Sequence, residues 1–200
     1  GAAIGQVPEY IERITTWCST YSKVPVIVKL TPNVTNILKG AEASCRGKAD
    51  AVSLINTINS IVSIDLDNFS PNPAVDGKGT HGGYCGPAVK PIALNMVAEI
   101  ARNPSTSSLP ISAIGGVSTW KDAAEFIALG AGTVQVCTAT MNFGFRIVED
   151  MINGLSLWMD KKGYKNIEDF RGKASGNVCN WKDLNQNYNV VANINQDKCI

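Results

Sequence analysis

Four apolar runs of the sequence each end in residues that could bind a ligand. These residues are Lys29, Asn56-Thr57, Gly115-Gly116 and Cys137-Thr138. A lysine at the end of a buried strand needs an anion or another acceptor, and an asparagine offers donors and an acceptor that suit the edge of an amide-like ring. A glycine pair leaves its backbone amides, together with those of a following helix N-terminus, open to an anion. These residue types would suit a site for a phosphate-bearing ligand and a flat heterocycle.

Each of these residues also has a plain structural interpretation. Lys29 could simply extend its ammonium from the strand end into solvent. Asn56 could do no more than form a turn, and Gly115-Gly116 could do no more than close a tight connection between a strand and a helix. The residue types alone leave both interpretations open.

The other reactive side chains form no pattern typical of a catalytic or metal site. His81 is the single histidine of the chain, and we favour a structural or loop role for it over a contact with substrate. Cys85 could act as a nucleophile or only pack, and Cys137 follows an apolar run and is expected to pack. Solvated loop charges are the expectation for Asp65, Asp67 and Asp76.

The elements that must position these residues are clearest between Ser112 and Ala139. An apolar run ends at a glycine turn, a helical pattern follows with Ser118 or Thr119 as its cap, and a second apolar run comes after Gly130. This order of strand and helix occurs four times along the chain, always with the strand first. It is typical of a parallel sheet, and four units make half of an eight-unit barrel.

The predicted fold class is therefore α/β, of the (β/α)8 TIM-barrel type, with about four βα units followed by a C-terminal connector. Asn59 to Tyr84 interrupts the units with a stretch that has little periodicity and many glycines, prolines and aspartates. A loop of that length inside a compact domain usually serves as a lid or a binding loop.

Composition bounds the class of protein. The chain has 200 residues, of which 44% are hydrophobic and 18% charged, and its net charge is +1. These values suit a globular core and argue against partners such as nucleic acid or a membrane surface. The six cysteines form no CxxC, which favours a reduced, cytoplasmic protein. The chain starts at Gly1 rather than methionine and ends one residue after Cys199, so we expect a fragment of a longer protein.

Several stretches together resemble one known family, the dihydroorotate dehydrogenase-like FMN barrels. Within that family they are most similar to the pyrimidine-reducing subunit of the bacterial NAD-dependent dihydropyrimidine dehydrogenases. The stretches are VIVKLTPNVTNI, ADAVSLINTINSI, DGKGTHGGYCGPAVKPIALNMVAEIAR, ISAIGGVSTWKDAAEFIALGAGTVQVCTA and IVEDMINGL. The resemblance extends over essentially the whole chain.

The resemblance implies a role for each strand-end residue. Lys29 would contact the FMN ring and stabilise negative charge on it. Asn56 and Thr57 would bind the pyrimidine. The remaining FMN contacts implied by the resemblance are Gly86, Ile114, Gly115, Gly116, Cys137 and Thr138. Ile114 to Gly116 would surround the phosphate, and Cys137 would contribute its backbone rather than its thiol.

Two departures from the family pattern concern catalysis and electron transfer. The catalytic acid of the family is a cysteine in an Asn-x-Ser-Cys-Pro loop, which is absent here and expected upstream of Gly1. Cys199 matches the first cysteine of a ferredoxin-like motif and would be a ligand of a [4Fe–4S] cluster, although one thiolate cannot hold such a cluster. The implied domains are the C-terminal half of an FMN-binding barrel at residues 1–163 and a connector at 164–200, leading to an iron–sulfur domain.

The resemblance implies that the intact protein reduces the 5,6 double bond of uracil or thymine. Electrons from NADH would enter at an FAD- and NADH-binding partner subunit of a hetero-oligomer and pass through iron–sulfur clusters to FMN. The fragment alone is expected to be inactive. The alternatives are a dihydroorotate dehydrogenase-type FMN enzyme, a non-catalytic phosphate-binding barrel fragment, and a structural fragment that dimerises through its open sheet edge.

Overall fold

The structure, a computed structural model, describes residues 3–188, 191 and 194–195. Its α-helices are, in chain order, α1 (Pro8–Tyr21), α2 (Ile37–Arg46), α3 (Lys90–Arg102), α4 (Trp120–Ala128), α5 (Thr138–Phe143) and α6 (Arg146–Lys162). Its strands are β1 (Ile27–Lys29), β2 (Ala51–Leu54), β3 (Ile58–Ser60), β4 (Ser63–Ile64), β5 (Pro71–Asn72), β6 (Gly82–Tyr84), β7 (Ile111–Ala113) and β8 (Thr133–Val134).

Four of the strands form one parallel sheet in the order β1-β2-β7-β8. Adjacent strands of this sheet come from successive βα units, so strands are added to one edge in chain order, as they are in a barrel. The register aligns Val52 with Ile111 and Ser53 with Ser112. The prediction of an α/β fold with four parallel βα units, as in part of a TIM barrel, is confirmed.

The core lies between this sheet and the helices that cover one of its faces. Strands β2 and β7 are almost wholly buried, because apolar residues on both strands pack against neighbours. Val52, Leu54 and Ala113 have no exposed surface, and neither have Val97 and Ile100 on α3. Full burial of a valine, leucine or isoleucine side chain contributes about 1.5–3 kcal/mol to the stability of the fold.

The helix that follows the glycine turn begins as the sequence predicts. Thr119 is the N-cap of α4: its hydroxyl accepts from the amide of Asp122, and the Asp122 carboxylate accepts from the amide of Thr119 in return. This capping box fixes the first turn of the helix. Helix α2 begins later than its pattern suggests, at Ile37, because the Asn36 side chain caps it by accepting from the amide of Leu38.

The predicted lid is a small two-part excursion between β2 and α3. At its base, β3 pairs with β6 in antiparallel fashion, and farther out β4 pairs with β5. Large apolar side chains in it are exposed, among them Phe69 and Val75. The lid therefore has little core of its own and depends on its base for its position.

The segment after α6 packs against the end of α4. The Phe170 side chain is 2% exposed and lies in a cluster with Trp158 and Tyr164. The amides of Gly172 and Ala174 donate to carbonyls at the C-terminal end of α4, over 3.0 and 2.8 Å. These contacts satisfy carbonyls that the helix itself leaves without partners. The domain boundary after Gly163 stays a prediction.

Candidate functional site

One cavity at the C-terminal edge of the parallel sheet brings together the strand-end residues singled out from the sequence. It encloses about 130 Å³. The lining includes all nine FMN- and pyrimidine-contacting residues implied by the family resemblance: Lys29, Asn56, Thr57, Gly86, Ile114, Gly115, Gly116, Cys137 and Thr138. The enclosed space is smaller than the roughly 300–1,000 Å³ of typical small-molecule sites, so a cofactor-sized ligand would extend beyond it.

The residues meet because the strands that carry them run parallel and in register. Lys29 aligns with Ser53, and Ser53 aligns with Ser112, so the three strands end at the same level. Gly115 follows β7 after one further residue, Ile114, and Asn56 follows β2 after one further residue, Ile55. Parallel strands thus deliver residues far apart in the chain to one edge of the sheet.

Three consecutive backbone amides at the cavity are available to a ligand. Gly115, Gly116 and Val117 donate to no protein acceptor within the residues that the structure describes. The amides of Ser118 and Thr119, by contrast, donate to the Asp122 carboxylate over 3.0 and 2.8 Å. The expectation that the helix N-terminus adds its amides to the anion site is therefore wrong for these two residues, because a side chain of α4 already occupies them. The turn itself is the candidate anion cradle.

A second turn, at Gly86, forms the opposite wall of the cradle. Gly86 and Gly116 both have positive φ, of 87° and 73°. A Cβ atom built on Gly116 would lie 2.7 Å from the Gly86 carbonyl oxygen and 2.9 Å from Cβ of Lys90. The two turns are thus in direct contact, and glycine at position 116 is what permits it.

An ion-pair cluster beside the cradle joins the helices that the two turns begin. The Lys90 ammonium on α3 donates to Asp122 over 2.6 Å and to Glu125 over 2.8 Å, both on α4. Hydrogen bonds to Asp122 and then to Glu125 raise the pKa of Lys90. Burial works to raise the pKa of Asp122, but the hydrogen bonds from Lys90, Ser118 and Thr119 outweigh it, so that pKa is lowered. Lys90 is therefore held by carboxylates and is not the cation of the cradle.

Lys29 is the cation that faces the cavity. Its ammonium forms no ion pair or hydrogen bond with any residue the structure describes, and the side chain is exposed at the cavity wall. On the same wall, the Asn56 side-chain carbonyl accepts from the amide of Thr57 over 2.8 Å. The Nδ2 donors of Asn56 have no acceptor within the described part of the chain. Ammonium and amide donors are thus both available for a ligand.

A net of polar side chains, not predicted from the sequence, lies beneath the cavity on the sheet face opposite the helices. The Gln135 Nε2 donates to the hydroxyls of Ser53 and Ser112, over 2.8 Å in each case. Thr133 donates to Ser112 over 2.7 Å. The signal that could have revealed this net is a serine in the middle of each of two otherwise apolar strands, AVSL and ISA.

Two further openings border the site or lie away from it. A polar one of about 160 Å³ shares Lys29, Asn56 and Thr57 with the cavity and adds Asn33 and Asn59. A larger cleft of about 930 Å³ lies between α1 and α2 and contains none of the nine residues. We place the site at the 130 Å³ cavity, because the unbonded amides of Gly115 to Val117 and the unpaired Lys29 ammonium converge there.

The side chains of uncertain role are distributed as follows. His81 is exposed in the lid and does not line the cavity. Cys85 and Cys137 line it, and both are exposed, so the expectation that Cys137 packs is wrong: it lies beyond the end of β8, where the sheet no longer covers it. Thr138 donates from its hydroxyl to the sulfur of Cys85 over 3.3 Å.

No metal site and no membrane span emerge from the part of the chain that the structure describes. There, no three His, Cys, Asp or Glu side chains are grouped so that they could hold a metal ion. None of the described helices combines the length and the apolar character needed to cross a membrane. Cys199, the predicted cluster ligand, lies outside the described residues.

Comparison with known proteins assigns the chain to a family. The profile of the dihydroorotate dehydrogenase family matches residues 1–159. The parallel βα fold and the cavity at the C-terminal edge of the sheet agree with that match. The chain belongs to the dihydroorotate dehydrogenase family.

Individual relatives fall into two groups. The chain is 42% identical over all its 200 residues to the NAD-dependent dihydropyrimidine dehydrogenase subunit PreA of Escherichia coli, of which it covers 49%. It is 41% identical over 175 residues to the chloroplastic dihydropyrimidine dehydrogenase (NADP(+)) of Arabidopsis thaliana, covering 86% of the chain and 41% of the relative. It is 37% identical over 174 residues to the catalytic subunit of dihydroorotate dehydrogenase B (NAD(+)) of Pyrococcus furiosus, covering 87% of the chain and 55% of the relative. The chain thus spans about half the length of these relatives.

Proposed function

We propose that the chain is the C-terminal half of an FMN-binding barrel, and that the complete protein reduces the 5,6 double bond of uracil or thymine. The observation that carries this proposal is the convergence of nine residues, from Lys29 to Thr138, on one cavity. The two dihydropyrimidine dehydrogenases among the relatives support the same reaction class.

The residues that line the cavity suit a flavin mononucleotide, which would extend beyond the enclosed space. The three unbonded amides of the cavity, from Gly115 to Val117, suit a phosphate, and the Lys29 ammonium suits the electron-rich edge of a flavin ring. Ile55 and Val89 provide apolar walls for a flat ring system. When bound, the cofactor supplies the hydride that the reduction requires.

Asn56 and Thr57 are the residues proposed to orient the pyrimidine. They lie between the cavity and the polar opening beside it, so a ring placed there would be next to a cofactor in the cavity. The unbonded Nδ2 of Asn56 can donate to a ring carbonyl, and the Thr57 hydroxyl can donate or accept. The proton for the other carbon of the double bond would come from the cysteine expected upstream of Gly1.

The route of electrons is the part of the proposal that lies farthest from these residues. NADH would be oxidised at an FAD-binding partner subunit, and iron–sulfur clusters, one of them with Cys199 as a ligand, would connect the two flavins. The printed name of the E. coli relative, a subunit, supports a multi-subunit protein. A cytoplasmic location follows from the cysteine pattern as a proposal.

Dihydroorotate dehydrogenase is the second candidate, favoured by the 37% identity to the P. furiosus catalytic subunit. Orotate carries a carboxylate, which calls for a cationic partner or amide contacts. Among the described residues, Lys29 is the one cation at the cavity and at the polar opening beside it. If Lys29 faces the flavin, no second cation remains here for the carboxylate, so a neutral pyrimidine is the better fit.

The proposal is tested by binding and turnover of the complete protein. We expect a flavin absorption band, reduction of uracil with NADH, and much weaker turnover with orotate, followed at the nicotinamide absorbance. Asn56→Ala should raise the KM for uracil at least about tenfold, the effect of losing one or two hydrogen bonds to a neutral ring. A protein without flavin would favour a non-catalytic phosphate-binding barrel, and a preference for orotate would favour the second candidate.

A further inference from the structure

The side chain of Asn33 forms long-range hydrogen bonds to the segment that carries the proposed pyrimidine-binding pair. Asn33 lies in the loop between β1 and α2 and is half-buried. Its Nδ2 donates to the carbonyl of Thr57 over 3.1 Å, and its Oδ1 accepts from the amide of Asn59 over 2.9 Å. A third bond is local, from Nδ2 to the hydroxyl of Thr31, also over 3.1 Å.

These bonds leave the Asn33 side chain with no free donor for a ligand. An asparagine side chain has two N–H donors and a carbonyl acceptor, and here each donor and the acceptor are in use within the protein. Asn33 lines the polar opening beside Lys29, yet its hydrogen-bonding groups point to backbone and to Thr31. Its contribution to a ligand is therefore indirect.

The end of β1 holds the same segment at a further point. The amide of Asn56 donates to the carbonyl of Leu30 over 3.0 Å. Asn56 is thus attached at its backbone, Thr57 at its carbonyl and Asn59 at its amide, all to residues 30–33. Three attachments within four residues restrict the backbone dihedrals of a short segment in a way that one contact cannot.

The lid confines Thr57 from the other side. Ile58 pairs with Tyr84 at the base of the lid, and Gly83 lies against the side chain of Thr57. A Cβ atom built on Gly83 would overlap the Thr57 hydroxyl and Cβ. The 56–59 segment therefore lies between a loop that binds its backbone and a strand that closes on its side chain.

We propose that Asn33 is a positioning residue for the ligand: it sets the place of the Asn56-Thr57 pair through its bonds to the Thr57 carbonyl and the Asn59 amide. The inference rests on the proposed role of that pair in pyrimidine binding. Asn33 itself does not touch the pyrimidine. Its replacement therefore weakens pyrimidine binding while leaving the cofactor cradle, at Gly86 and Gly115 to Val117, unchanged.

A merely local role makes a different prediction. The amide of Asn33 also donates to the Thr31 hydroxyl over 3.2 Å, so the residue could serve only to shape its own turn. In that case its loss would lower stability without changing affinity. Asn36, three residues on, offers the matched comparison, because its side chain accepts from Leu38 to cap α2 and forms no hydrogen bond with the 56–59 segment in the described part of the chain.

The experiment compares Asn33→Ala, Asn33→Asp and Asn36→Ala in the complete protein. Measured for each are amide hydrogen exchange across 56–60, flavin content, the melting temperature and the KM for uracil. Asn33→Ala should speed exchange at Asn59 and raise the KM, each about tenfold, with flavin content unchanged. Asn33→Asp keeps the acceptor for Asn59 and loses the donor for Thr57, so it should raise the KM while exchange at Asn59 stays slow. Asn36→Ala should lower the melting temperature and change neither exchange nor KM.

An unchanged KM for uracil in Asn33→Ala would overturn the inference, as would equal changes of KM in Asn33→Ala and Asn36→Ala. Unaltered exchange at Asn59 would overturn it as well, and that measurement requires neither flavin nor substrate. Failure of the wild-type protein to bind uracil would instead refute the proposed function. The two failures are therefore distinguishable.

Discussion

At the scale of single residues, the site depends on donors that the protein does not use for itself. Lys29 has no partner in the described part of the chain, and the three amides of the glycine turn have no acceptor there. A surface lysine costs nothing to leave unpaired, but buried amides without acceptors are costly. Gly115 and Val117 are buried, so a ligand that accepts from them would remove that cost.

Replacement of Lys29 tests its electrostatic role. Lys29→Met keeps an unbranched side chain of similar shape, one atom shorter, and removes the charge that would offset negative charge in the cavity. We expect uracil turnover to fall about 10²-fold, as when a preorganised donor is removed from an active site. Steady-state kinetics with flavin content measured in parallel checks this. Lys23→Met, at an exposed lysine outside the cavity, should change neither quantity; equal losses in both variants would contradict the role of Lys29.

Replacement of Gly116 tests the contact between the two turns. Gly116→Ala adds a Cβ atom 2.7 Å from the Gly86 oxygen, at a φ of 73°. Gly163→Ala provides the control, because its φ is 72° but no atom lies within 4 Å of the new Cβ. The backbone cost of about 1 kcal/mol is common to both, and we expect a further loss of about 1–3 kcal/mol at Gly116 alone. Urea unfolding and titration with FMN measure the two effects, and indistinguishable variants would rule out the steric contact.

At the scale of elements, helices α3 and α4 hold the two turns at a fixed distance. Lys90 follows the Gly86 turn, and Asp122 follows the Gly116 turn, so their 2.6 Å ion pair spans the base of the cradle. Both side chains are mostly buried, with 24% and 13% of their surface exposed. Such a pair is costly to break on one side only, because the other charge stays in place.

The pH dependence of stability follows from the lowered pKa of Asp122. Because the folded pKa lies below the unfolded one, the carboxylate stabilises the fold above pH about 4, and this contribution disappears as the pH falls through the folded value. Asp122→Asn should therefore lower the free energy of unfolding by about 1–2 kcal/mol at pH 7, and its difference from wild type should shrink as the pH falls below about 4. Urea unfolding across pH measures this. Asp150→Asn, at a carboxylate that is 66% exposed, provides the control; a difference between Asp122→Asn and wild type that is constant at all pH values would refute the assignment.

The helices also show which features of the fold and of the candidate site the sequence could predict. Local spacing predicts a cap of α4 at Ser118 or Thr119, with Asp122 in the first turn, and the structure has it at Thr119. Lys90 and Asp122 are 32 residues apart, and Asn33 and Thr57 are 24 apart, so neither contact has a local signature. Helix α5 was missed because its six residues, TATMNF, are too few for a period and include two threonines, which favour helices weakly.

At the scale of the whole molecule, the segment after α6 is joined to the half-barrel by an aromatic cluster. Phe170 stacks on Tyr164 at 5.6 Å between ring centroids and meets Trp158 edge-on at 5.0 Å. The sequence predicts this region, residues 164–200, only as a connector. The packing of aromatic residues from separate segments was not apparent from composition.

Truncation of Phe170 measures how much the segment contributes to the fold. Phe170→Ala should lower the free energy of unfolding by about 3–5 kcal/mol, because it leaves a cavity where a side chain that is 2% exposed had packed. Thermal and urea unfolding give the value. Phe143→Ala, whose side chain is 68% exposed, should stay within about 0.5 kcal/mol of wild type. Similar small changes in both would mean that the segment packs loosely.

The polar net beneath the cavity has a consequence for proton placement. Since the Gln135 Nε2 donates to the hydroxyls of Ser53 and Ser112, and Thr133 donates to Ser112 as well, Ser112 is left to direct its own proton elsewhere. Exchange of the Gln135 amide for a carboxylate would make position 135 an acceptor, and the serine hydroxyls would have to rotate and donate to it. The Nε2 atom of Gln135 therefore determines the direction in which the hydroxyls of Ser53 and Ser112 donate beneath the cavity.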